Sequence, residues 1–149
     1  METVNIKLDL SVITHNAVKE HPHIMVTANG ITYFDKICSN DTVISFDMEV
    51  EDDRDYAVEV IYDNKNFKTD VILDENGIVL ADKRVVINTI SIDDIELYPY
   101  TLDDATLTYE STDNIEFTNS GRRAADLSWN GKTTFKFTTP AYVWLLENF

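Results

Sequence analysis

The sequence is poor in several things, and each shortage excludes a class of protein. It holds one cysteine, Cys38, which rules out an internal disulfide framework and every cysteine-rich zinc site. No apolar run approaches the roughly 20 residues that a membrane-spanning helix needs. The opening Met1-Glu2-Thr3-Val4-Asn5 lacks the basic and apolar stretches of a secretory leader. Basic residues are scarce, with 12 Lys and Arg against 27 Asp and Glu and a formal charge of −15. Binding a phosphate backbone needs a positive footprint, so neither DNA nor RNA is an expected partner, and nor is a membrane. There is no Gly-x-Ser-x-Gly elbow and no glycine-rich phosphate cradle, and Cys38-Ser39-Asn40 lacks the flanks of a catalytic thiol. Two carboxylates suffice for glycoside hydrolysis, but 27 acidic side chains make that condition uninformative. The expectation is an acidic, non-catalytic protein, with residues 1–149 forming one domain.

What is present is alternation. Val4, Ile6, Leu8, Leu10 and Val12 fall on one face of an extended segment, with Asn5, Lys7, Asp9 and Ser11 on the other. A period of two marks a strand with one face on a core and one in water. It returns at Ile44, Phe46, Met48 and Val50, at Tyr56, Val58, Val60 and Tyr62, and at Phe135 and Phe137. Three of the four glycines follow asparagine, at Asn29-Gly30, Asn76-Gly77 and Asn130-Gly131, each between strand-like segments. Asn-Gly is the preferred pair of a two-residue type I′ hairpin, because both residues must accept positive φ. Asp93-Asp94 shifts the apolar parity between Ile90/Ile92 and Ile95/Leu97, which requires a turn or a bulge. The expected fold is an all-β antiparallel sandwich of about ten strands with little helix.

Candidate sites follow from residue type. Asp63, Asp70, Asp74, Glu75, Asp82, Asp93 and Asp94 are oxygen donors of the kind calcium takes, but they also suit solvated turns, and no EF-hand spacing is present. His15, His21 and His23 lack a partner at zinc spacing and read as structural or exposed. Tyr98 and Tyr100 flank Pro99 in an expected loop, where exposed rings can stack on a sugar. The segment Ala141-Tyr142-Val143-Trp144-Leu145-Leu146 is apolar on both faces, as in a central strand or a strand packed on another subunit. Tyr142, Trp144 and Phe149 are its interface candidates, with the core the favoured place for Trp144.

The order Ile61-Tyr62-Asp63-Asn64, Asp70-Val71-Ile72, Asn76-Gly77 and Arg84 to Leu97 resembles that of xylan-binding, calcium-dependent carbohydrate-binding modules. Val86–Leu97 is similar to their strand, Asp-Gly turn, short strand signature, with Asp94 where glycine is common. The His23–Phe34 hairpin resembles their opening. The chain further resembles small structural proteins of tailed bacteriophages, marine and cyanobacterial ones especially, which carry this module and end in a Trp- and Phe-rich strand like Ala141–Phe149. The resemblance implies a jelly-roll-type sandwich without catalysis, placed on a virion as capsid decoration, tail or fibre component. Other virion proteins and further copies of itself would be its partners. The calcium position would fall on Asp63, Asp70 and Asp93. The alternative is a calcium-dependent module that recognises a polysaccharide, for instance on a host surface.

Overall fold

The computed structural model describes residues 1–112 and 123–149. Its elements run β1 (Glu2–Ile13), β2 (His23–Ala28), β3 (Ile31–Ile37), β4 (Thr42–Val50), β5 (Asp55–Tyr62), α1 (Phe67–Asp70), β6 (Ile72–Leu73), β7 (Val79–Ala81), β8 (Arg84–Ile92) and β9 (Ile95–Leu97). A 3-10 turn (Pro99–Thr101), β10 (Leu107–Ser111), β11 (Asp126–Leu127), β12 (Gly131–Thr138) and α2 (Ala141–Asn148) complete it. The apolar alternation weakens from Asn114 to Asn130, which makes loops or short irregular pieces the expectation there, and residues 114–122 of that stretch lie outside the described residues.

The strands form an antiparallel β-sandwich. One sheet runs β4-β1-β8, with β9 and β11 pairing the two ends of β8's outer edge, and the other runs β10-β12-β5-β2-β3. Strand β1 buries Val4, Ile6, Leu8, Leu10 and Val12, the set its alternation selects. Facing them are Ile24 and Val26 of β2, Val58, Val60 and Tyr62 of β5, and Phe135 and Phe137 of β12. At the side where β3 and β4 run along the edges, Tyr33 stacks on Phe46 with ring centroids 4.2 Å apart. That contact closes the gap between the two sheets with aromatic rather than aliphatic surface.

The turns divide the expectations. Asn29 (φ 52°) and Gly30 (φ 73°) form the type I′ hairpin between β2 and β3. Asp93 (φ 48°) and Asp94 (φ 67°) do the same between β8 and β9, where Ile92 pairs with Ile95. Aspartate accepts this conformation better than most side chains, so the parity shift is a turn. At Asn76-Gly77 the two-residue expectation is corrected, since only Gly77 takes positive φ (81°). There the Asp74 carboxylate accepts from the amides of Asn76 and Ile78, so the loop is longer. Asn130-Gly131 is no I′ turn either. Gly131 begins β12, and a Cβ there would lie 2.3 Å from the Glu110 carbonyl oxygen and 2.7 Å from the Tyr109 hydroxyl. Close approach, rather than positive φ, explains that glycine.

The last correction concerns the C-terminus, where the expected strand is the helix α2. Both edges of β12 are already taken, by β10 and β5, so the next segment cannot fold back to pair with β12 itself. Pro140 enters the helix with φ −63°, and Ala141, Leu145 and Leu146 are strong helix formers. Trp144 lies 5.9 Å from the Phe135 ring centroid and caps the aromatic end of the core.

Candidate functional site

Residues around Pro99 hold two tyrosines outward. Leu97, Pro99 and Leu102 are buried and pin the segment against the core, while Tyr98 and Tyr100 project into solvent, 43% and 69% exposed. Proline fixes φ at the first position of the 3-10 turn. The Thr101 amide and hydroxyl both donate to the Tyr98 carbonyl, at 2.9 and 2.7 Å. The two rings sit 5.7 Å apart, tilted by 31°. The Tyr98 hydroxyl donates to a Glu96 carboxylate oxygen at 3.1 Å, and that bond raises the phenol's pKa above its ordinary value. The result is an exposed apolar platform with a phenol and a carboxylate on its rim. Such a surface suits the C–H face of a sugar ring, whose hydroxyls can bond the rim.

The three aspartates named for calcium are not gathered. Asp63 follows β5 and accepts from His23 Nδ1 at 2.7 Å, while His23 Nε2 meets Asp35 at 2.5 Å. These bonds, to Asp35 first and then Asp63, raise the His23 pKa. Asp70 is buried, accepting from the Asn66 amide at 2.7 Å and lying 3.3 Å from Lys83 Nζ. Asp93 accepts from the Asn5 amide at 2.8 Å and fixes the β8–β9 turn against β1. Among the described residues, no three His, Cys, Asp or Glu side chains come together to hold a metal ion. Calcium asks for six to eight oxygens, and Asp63, Asp70 and Asp93 do not fit it as one site. The remaining histidines are also occupied, His15 with the Asp70 carbonyl and His21 with the Thr14 hydroxyl. Cys38 is buried and free.

Sequence reasoning missed the most unusual cluster, formed by lysines on either side of the β6–β7 hairpin in sequence. Lys65 has a side chain 1% exposed, with Nζ 2.7 Å from Asp82 and donating to the Ser128 carbonyl at 2.6 Å. It also lies 4.6 Å from the centroid of Phe67, which stacks on Trp129. Lys83, 2% exposed, donates to the Asn64 carbonyl at 2.6 Å and pairs with Asp70. Asn130 clamps Lys65 from outside, accepting from its amide and donating to its carbonyl. The Tyr62 hydroxyl donates to the Lys83 carbonyl, and burial raises its pKa far above the ordinary value. No periodicity flags these lysines, because an isolated lysine beside an aspartate reads as a solvated turn.

Among the described residues, apolar side chains also stand exposed on α2 and on the β6–β7 hairpin. On α2, Tyr142 and Leu146 are exposed one turn apart, and Phe149 just beyond its end is half exposed with its ring edge-on to Trp144 at 5.6 Å, while Trp144 faces the core. On the β6–β7 hairpin, Leu73, Ile78, Val79 and Leu80 are each more than half exposed. A cleft of about 520 Å³ opens between Tyr56, Phe137 and Trp144 on its floor and Asn29, Asp55 and Lys136 on its rim.

The fold of this sandwich resembles that of two solved carbohydrate-binding-module structures. It is similar to vCBM60 in complex with galactobiose, with a TM-score of 0.50 and 13% identity over 88% of this chain and 96% of that one. It is also similar to a selenomethionine form of vCBM60, from work on two families of calcium-dependent carbohydrate binding modules, with a TM-score of 0.51 and 11% identity over 89% of each chain. No family model and no curated protein matches the chain. At such identities the likeness establishes the fold.

Proposed function

We propose that the protein is a non-catalytic carbohydrate-binding module whose sugar platform is Tyr98 and Tyr100. The observation that carries this reading is the pair of exposed rings 5.7 Å apart, held outward by buried Leu97, Pro99 and Leu102. The fold supports it, since the similar structure vCBM60 binds galactobiose. A glycan array, followed by calorimetry on the best saccharide, tests it. Tyr100→Ala and Tyr98→Ala are expected to weaken binding at least tenfold with the melting temperature unchanged. Absence of any reproducible glycan, or equal binding by both variants, overturns it.

A second reading, assembly into a multi-copy particle such as the virion implied by the phage resemblance, is favoured by the exposed side chains of Tyr142, Leu146 and Phe149. Deleting α2 is a poor test, because Trp144 belongs to the core. Light scattering on Tyr142→Ser/Leu146→Ser is cleaner. A parent oligomer that becomes a folded monomer supports assembly through this face. A parent that is already monomeric at high concentration removes self-association.

A further inference from the structure

We infer that this chain braces the loops of its sandwich with two lysine ammonium groups, Lys65 and Lys83, and that among the described residues no part of the fold depends on calcium, although its fold is shared with modules described as calcium-dependent. Between Asp63 and Lys83 the buried residues are Lys65, Asp70 and Lys83, all charged. Each ammonium takes one carboxylate and one main-chain carbonyl. Lys65 takes Asp82 and Ser128, and Lys83 takes Asp70 and Asn64. Carboxylates and carbonyls are the oxygens that a calcium ion recruits to organise loops.

The connections made are those a loop-organising cation would make. Lys65, in the loop after β5, reaches the approach to β8 through Asp82 and the segment after β11 through Ser128. Lys83, at the entrance to β8, reaches back to the end of β5 through Asn64 and to α1 through Asp70. The Asp70 carboxylate also accepts from the Asn66 amide, so the brace closes α1 on itself. A second cation beside either ammonium would meet a fixed positive charge and too few oxygens. A cation tethered covalently by its own side chain is present whatever the free calcium concentration. That difference is measurable without any glycan, so the inference stands or falls separately from the sugar reading.

The experiment is thermal melting and amide hydrogen exchange of the full chain, in millimolar calcium and in EDTA, with Lys83→Met and Lys65→Met alongside. The parent is expected to melt at one temperature in both buffers. Lys83→Met is expected to melt roughly 10 °C lower, with faster exchange across residues 63–83 than in β1. A parent melting temperature that rises in calcium or falls in EDTA overturns the inference. So does parent-like melting by both variants. Should Lys83→Met fail to fold, Lys65→Met, whose partner Asp82 is 22% exposed, supplies the comparison.

Discussion

Strand β1 and the segment from Asp63 to Lys83 bury opposite kinds of side chain. Every second residue of β1 is buried and aliphatic, from Val4 to Val12. In the later segment the buried residues are two lysines and an aspartate, while Leu73, Ile78, Val79 and Leu80 stand in solvent. The first region draws its stability from apolar area removed from water and tolerates small changes of shape. The second draws it from charges that are cheap only while paired, so it is specific in partner and intolerant of losing one member. One chain therefore contains a region built by pattern and a region built by exact complement.

The sharpest way to break this comparison is to orphan a charge. Lys83→Met should cost about 3–5 kcal/mol by leaving Asp70 buried and unpaired, and Lys83→Met/Asp70→Asn should recover most of that loss. Urea unfolding of the single and double variants measures both. If the double variant is no better than the single, burial of charge is not what the segment depends on. In β1 the corresponding change, Leu8→Ala, should cost roughly 2–5 kcal/mol with no partner able to restore it. Gly131→Ala probes a third kind of constraint, because the backbone of Glu110 blocks its Cβ; about 1–3 kcal/mol is expected from the same unfolding curves.

The smallest effect is electrostatic. His23 is held between Asp35 and Asp63 and its pKa is raised above 6.5. The imidazolium is therefore favoured in the folded state. Its contribution is complete below the unfolded value and fades as pH rises through the higher folded one. Melting temperatures of the parent should fall across that window more steeply than those of His23→Gln. Parallel curves would mean the pair contributes nothing.

The sequence showed the sandwich because alternation survives translation into burial residue by residue, as in β1 and β5. It showed the Asn29-Gly30 I′ hairpin, because those residues carry the backbone preference themselves, but it misplaced two more at Asn76-Gly77 and Asn130-Gly131 and left Asp93-Asp94 as a turn or a bulge. It did not show α2, since the six-residue apolar run Ala141–Leu146 fits a helix or a buried strand equally. The exposure of Tyr98 and Tyr100 was legible from Pro99. The lysine braces were not, because Lys65 meets Ser128 and Asp82, and Lys83 meets Asn64 and Asp70, only after the strands between them have paired.

The bare aliphatics of the β6–β7 hairpin have a colloidal consequence. At neutral pH a formal charge of −15 keeps molecules apart before those side chains can meet. Towards the sequence pI of about 4.3 that repulsion vanishes, while the hairpin remains as sticky as before. Turbidity on acidification should therefore set in at a higher pH for the parent than for Leu80→Thr/Ile78→Thr, which leaves the charge unchanged.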